Sequence, residues 1–141
     1  MKKLYFSALY LILILCFLFL YLVNTPKISL IKMPSRAEIY LENGSFGKIK
    51  SVEQKTALYS LNKKGEAYYY DEVLSVDEIL DFYDAKSVLF EEINGGISVY
   101  AYSKKIKYAK TIKNERVNLH VYVNKNTQTT KIGFPIIYGS Y

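Results

Sequence analysis

A chain of 141 residues with a single cysteine and a formal charge of +6 leaves no room for several ordinary domains and no intramolecular disulfide. Arginine is confined to Arg36 and Arg116 amid abundant Lys, Ile, Asn and Tyr, the residue usage of an AT-rich, low-GC bacterial genome.

The basic start Met1-Lys2-Lys3 leads into Leu4 to Val23, a run without charge. About 20 apolar residues in helical form match the hydrocarbon thickness of a bilayer. Residues 1–23 are therefore expected to be a membrane anchor or signal segment, 24–36 a tether, and 37–141 an extracytoplasmic α+β domain. The run exceeds the usual apolar core of a signal peptide and no small-x-small site follows, which favours an uncleaved anchor over a cleaved signal. Cys16 follows Leu15, not the small residue of a lipobox. A short basic tail before a whole domain places the tail inside and the domain outside. The expected localisation is the cell membrane, single-pass, with the C-terminal domain extracytoplasmic.

Pro26 and Pro34 end the helix and favour extended backbone. Ile28, Leu30, Ile31 and Met33 are apolar enough to lie at the membrane interface or against the domain. Ala37 to Leu41 alternates, Asn43-Gly44 suits a tight turn, and Phe46 to Val52 returns as a strand. Leu58 to Leu61 and Glu66 to Asp71 suggest a second hairpin around Asn62-Lys63-Lys64-Gly65. Ser75-Val76-Asp77-Glu78 is a capping box, and Val76, Ile79, Leu80 and Tyr83 form one face of the helix it opens. Lys86 to Ile93 and Ile97 to Ser103 flank Asn94-Gly95-Gly96, a hairpin signal. After a basic stretch, Lys104 to Glu115, the run Val117 to Val123 alternates as one strand. Thr129 to Tyr138 follows, with Pro135 predicting an edge or a bulge.

Charge is segregated. Residues 66–92 hold nine acids against Lys86, whereas residues 93–141 hold eight bases against Glu115. The basic end suits an anionic polymer or lipid headgroups; it equally suits solvated strands and loops.

Candidate chemistry is sparse. His120 is the sole histidine, and no spacing of ligands around it makes a metal site. Ser60-Leu61-Asn62-Lys63 spells Ser-x-x-Lys, but without partner motifs and across a strand end. Glu91-Glu92 and Asp71-Glu72 are strand neighbours pointing to opposite faces. Gly95-Gly96 lies between strands, where a phosphate loop needs a following helix. No cofactor and no catalytic residue are expected. The alternation instead puts Tyr40, Tyr100, Tyr102, His120 and Tyr122 on the sheet face opposite the helix, with Lys104, Lys105 and Lys107 at its rim. This is a candidate interaction face, since tyrosine gives large contact area at low entropy cost; the alternative is that other chain segments cover it.

Three segments also carry a resemblance: Val99-Tyr100-Ala101-Tyr102-Ser103, then Asn118-Leu119-His120-Val121, then Ile132-Gly133-Phe134-Pro135-Ile136-Ile137 close to Tyr141. Together they resemble the end of the YwmB family, envelope-associated proteins of Firmicutes. The resemblance covers the C-terminal half, and the chain is shorter than the family's pattern. It implies a TATA-box-binding-protein-like fold, a curved, mostly antiparallel sheet with a helix on one face, and it carries over no catalytic residue. The resulting expectation is a non-enzymatic binding or interaction module at a bacterial envelope, with another envelope protein or an anionic envelope polymer as partner besides the membrane itself, through residues 4–23. An extracytoplasmic place argues against nucleic acid. A nucleic-acid binder using the sheet, and a hydrolase with an unrecognised site, are the alternatives.

Overall fold

A computed structural model describes residues 2–24, 28–41, 49–50 and 63–138. Its elements are α1 (Lys2–Asn24), β1 (Arg36–Leu41), β2 (Ile49–Lys50), β3 (Lys63–Tyr70), α2 (Val76–Tyr83), β4 (Ala85–Ile93), β5 (Gly96–Ser103), β6 (Lys110–Ile112), β7 (Glu115–Val117), β8 (Leu119–Asn124) and β9 (Thr129–Phe134). Among the described residues the fold is a mostly antiparallel sheet with two helices. Seven strands run in the order β2-β1-β3-β9-β8-β5-β4, and β6 pairs with β7 separately.

The side chains described in α1 are Ser7 and residues 9–21. Among the described residues no helix is long and apolar enough to cross a membrane. This corrects the expected transmembrane helix and the single-pass cell-membrane localisation that rested on it.

The segment after α1 belongs with the sheet. Ile28, Leu30 and Ile31 pack against the main core, whereas Met33 stays exposed. The Tyr83 hydroxyl donates to Ser29 O at 2.8 Å, and the Ser35 amide donates to Tyr69 O at 2.8 Å.

Ser75 caps α2 as its sequence predicts, its hydroxyl accepting from the Glu78 amide. Ile79 and Tyr83 are buried on the inner face, and α2 packs on β4 and β5. Asp84, with φ 49°, closes the helix in the left-handed conformation. On this side of the sheet Tyr68, Tyr70, Val99, Ala101, Leu119, Val121, Ile132 and Phe134 form the core with Ile79 and Tyr83. The Asn94-Gly95 turn joins β4 to β5 with both residues at positive φ.

Three sequence expectations change. Lys63 to Gly65 lies inside β3, where Lys63 and Gly65 pair with β1; Leu58 to Leu61, the other arm of the expected hairpin, is outside the described residues. Val117 to Val123 is two strands in two sheets, divided at Asn118. The Asn118 amide group holds Ser103 O at 2.7 Å and Ile106 O at 2.8 Å and accepts from the Ser103 amide at 2.8 Å, so the break satisfies a buried turn. The last strand is central between β3 and β8. It ends at Phe134, so Pro135 leaves no gap in the ladder.

Candidate functional site

Residues on strands alternate between faces, and the register aligns two rows on the face away from α2. One row reads Arg36, Tyr69, Lys131, Tyr122, Ser98, Glu91; the next reads Glu38, Ala67, Gly133, His120, Tyr100, Leu89. Beyond Phe134 the chain folds back over the second row as a short strap, residues 135–138. The Ile137 amide donates to His120 Nδ1 at 3.1 Å. Gly133 makes this approach possible: a Cβ there would sit 2.6 Å from the Ile137 nitrogen. Tyr138 then tilts against Tyr40, with ring centroids 5.0 Å apart.

The strap decides the fate of the expected interaction face. Tyr40, Tyr122 and His120 are buried, the first two in a small cluster with Ala67 and Ile137. They are a second core, which corrects their assignment as contact residues. The Tyr40 hydroxyl donates to Glu38 at 2.8 Å, and burial drives its pKa well up. Tyr100 and Tyr102 are half-exposed. Tyr100 stacks on His120 at 4.1 Å and donates to Glu91, whose carboxyl is lowered first by its hydrogen bond from Lys113. Lys104, Lys105 and Lys107 are exposed, and Lys105 reaches Asp84 at the end of α2 at 3.7 Å. That contact directs it toward the helix side, away from the tyrosines.

Ser98 Oγ lies 2.6 Å from His120 Nε2, a distance seen in serine-histidine nucleophile pairs. The polarity is reversed here. Nδ1 accepts the Ile137 amide, so the neutral ring carries its proton on Nε2 and donates to Ser98. A general base must accept the serine proton. Both residues are buried, and desolvation by burial holds His120 down at about 4. This pair supports the strap and the stack and does not activate Ser98. Among the described residues no three His, Cys, Asp or Glu gather as metal ligands. A hollow on α1 is lined by Ile12, Leu15, Cys16, Phe19 and Leu20, none of them an acid or base suited to hydrolysis.

What the alternation did not reveal is how cations distribute over tyrosine rings. Arg36 Cζ lies 4.1 Å and Lys131 Nζ 5.0 Å from the Tyr69 centroid. They come from β1 and β9, the neighbours of β3, and so flank the ring from opposite sides. Lys64 Nζ and Lys110 Nζ lie 4.8 and 5.0 Å from the Tyr138 centroid. Each pair of cations is thus within about 10 Å, where like charges repel by roughly 1–2 kcal/mol near a surface, offset in part by the ring quadrupoles. Glu38 moderates one pair, its carboxylate 3.6 Å from Arg36. Burial, the largest effect, lowers Lys131, Glu38 raises it, and Arg36 lowers it again. Burial chiefly pushes Tyr69 up to about 12. Arg116 lies 5.0 Å over Tyr102.

Arg36, as one of two arginines, was the available signal. The meeting of Lys64 and Lys110 at Tyr138 depends on the strap and left no pattern in the sequence. Compared with family models, curated proteins and solved structures, the chain matches none.

Proposed function

We propose that this protein is a non-enzymatic binding module that meets its partner with Tyr69, Tyr100, Tyr102 and Tyr138 on the face away from α2. The observation that carries this reading is that all four residues are partly exposed and each ring is held by a contact over its face. Tyr69, Tyr102 and Tyr138 are held by cations and Tyr100 by the His120 stack. Rings already ordered lose little entropy on binding and present large contact area, the properties of recognition surfaces. The resemblance of the C-terminal half to the YwmB family, which carries over no catalytic residue, supports the same reading. The reversed Ser98–His120 polarity weighs against the hydrolase alternative.

A photoreactive phenylalanine analogue placed at Tyr69 or Tyr100 in the full chain should give a discrete adduct in the producing cells, while the same group at Lys125, in an exposed turn, should give none. Adducts at Lys125 alone, or at no position, would reject this face as the binding surface.

A further inference from the structure

Resting on that reading, the cation arrangement identifies the partner's chemistry. Four cations from β1, β3, β6 and β9 collect around two rings, Arg36 and Lys131 on Tyr69 and Lys64 and Lys110 on Tyr138. The two groups are continuous: Tyr138 touches Tyr40, Tyr40 donates to Glu38, and Glu38 pairs with Arg36. Among the described residues Glu38 is the one carboxylate in these contacts, and it is buried, so the charge that these contacts turn outward is positive. We propose that the track is a binding site for a linear phosphate polymer, read through its charges.

Charge density favours phosphate. Cation pairs within about 10 Å can be bridged by a strand whose charges repeat every few ångström, as in phosphate chains, and the Arg36 fork suits phosphate oxygens. The rings argue against base recognition. Nucleic-acid platforms stack bases on open aromatic faces, whereas here Arg36 and Lys131 flank Tyr69 on both sides. In this arrangement Tyr69 and Tyr138 hold the cations in place and meet the polymer with the part of each ring that stays exposed.

The test measures binding of inorganic polyphosphate to the purified full chain. With four cation contacts, affinity should weaken roughly fiftyfold between about 50 and about 200 mM salt. The variant R36Q/K64Q/K110Q/K131Q, confirmed as folded by its circular dichroism and melting curve, should bind about a hundredfold more weakly and lose most of this salt dependence. K104Q/K105Q/K107Q, which removes three cations outside the track, should bind within about twofold of the parent chain. Equal losses in the two variants would show attraction to overall charge and overturn the site. So would tighter binding of oligothymidylate with the same number of phosphates, which would mean that bases are read, or equal binding of polyglutamate, which would mean that phosphate is not. Absence of polyphosphate binding with adducts still formed at Tyr69 would overturn this inference alone and leave the binding face standing.

Discussion

His120 accepts the Ile137 amide through Nδ1, and a proton added there would turn an acceptor toward a donor in a buried place. Desolvation accordingly holds the folded value at about 4 against a usual 6.5. As pH falls the unfolded chain takes up this proton first, so the contribution to stability is present above about pH 6.5 and is lost between there and about pH 4. Its full size is on the order of 3 kcal/mol. Urea midpoints measured from pH 7 to pH 4 should fall more steeply for the parent chain than for His120→Gln; parallel curves would show that another group titrates. The alternation marked the face on which His120 lies. It could not mark burial, because the covering residue is 17 positions away in sequence and belongs to a segment with no period of its own. Asn118 was hidden for a related reason: its three hydrogen bonds to Ser103 and Ile106 interrupt an apolar alternation that continues on both sides.

At the scale of elements, local chemistry was legible where it closes within a few residues. The Ser75 cap and the inward Ile79 and Tyr83 follow from i, i+3, i+4 spacing, and Asn94-Gly95 places two positive φ angles where the hairpin needs them. Ile79 is fully buried against the sheet, whereas Asp81 is exposed. Ile79→Asp should therefore cost several kcal/mol, because it buries a carboxylate among apolar side chains. Asp81→Ala should change stability by less than about 0.5 kcal/mol. Chemical denaturation of both variants checks the assignment, and equal effects would mean that another face of α2 is inward. Strand order was not legible. Nothing in Thr129 to Phe134 distinguishes an edge from the centre, and Pro135 suggested the edge although β9 lies between β3 and β8. A proline immediately past a strand end costs no ladder bond.

For the molecule as a whole, the informative boundary is the one between tether and domain, expected at residue 37. The contacts put it earlier. Ile28, Leu30 and Ile31 lie on the main core, the Tyr83 hydroxyl depends on Ser29 O, and Lys32 pairs with Glu72 at 2.6 Å. The ion pair is exposed and contributes little. The three half-buried apolar side chains contribute about 1 kcal/mol each, and the hydroxyl loses about another 1 kcal/mol if its acceptor is removed. A chain of residues 28–141 should therefore be more stable than one of residues 37–141 by on the order of 3–4 kcal/mol, a difference that urea unfolding resolves readily. Tyr83→Phe in the longer chain should reproduce about 1 kcal/mol of it and have a smaller effect in the shorter chain, where Ser29 is gone. Equal stability of the two chains would return the segment to the role of a tether. A large difference with no coupling to Tyr83 would assign it to apolar packing alone.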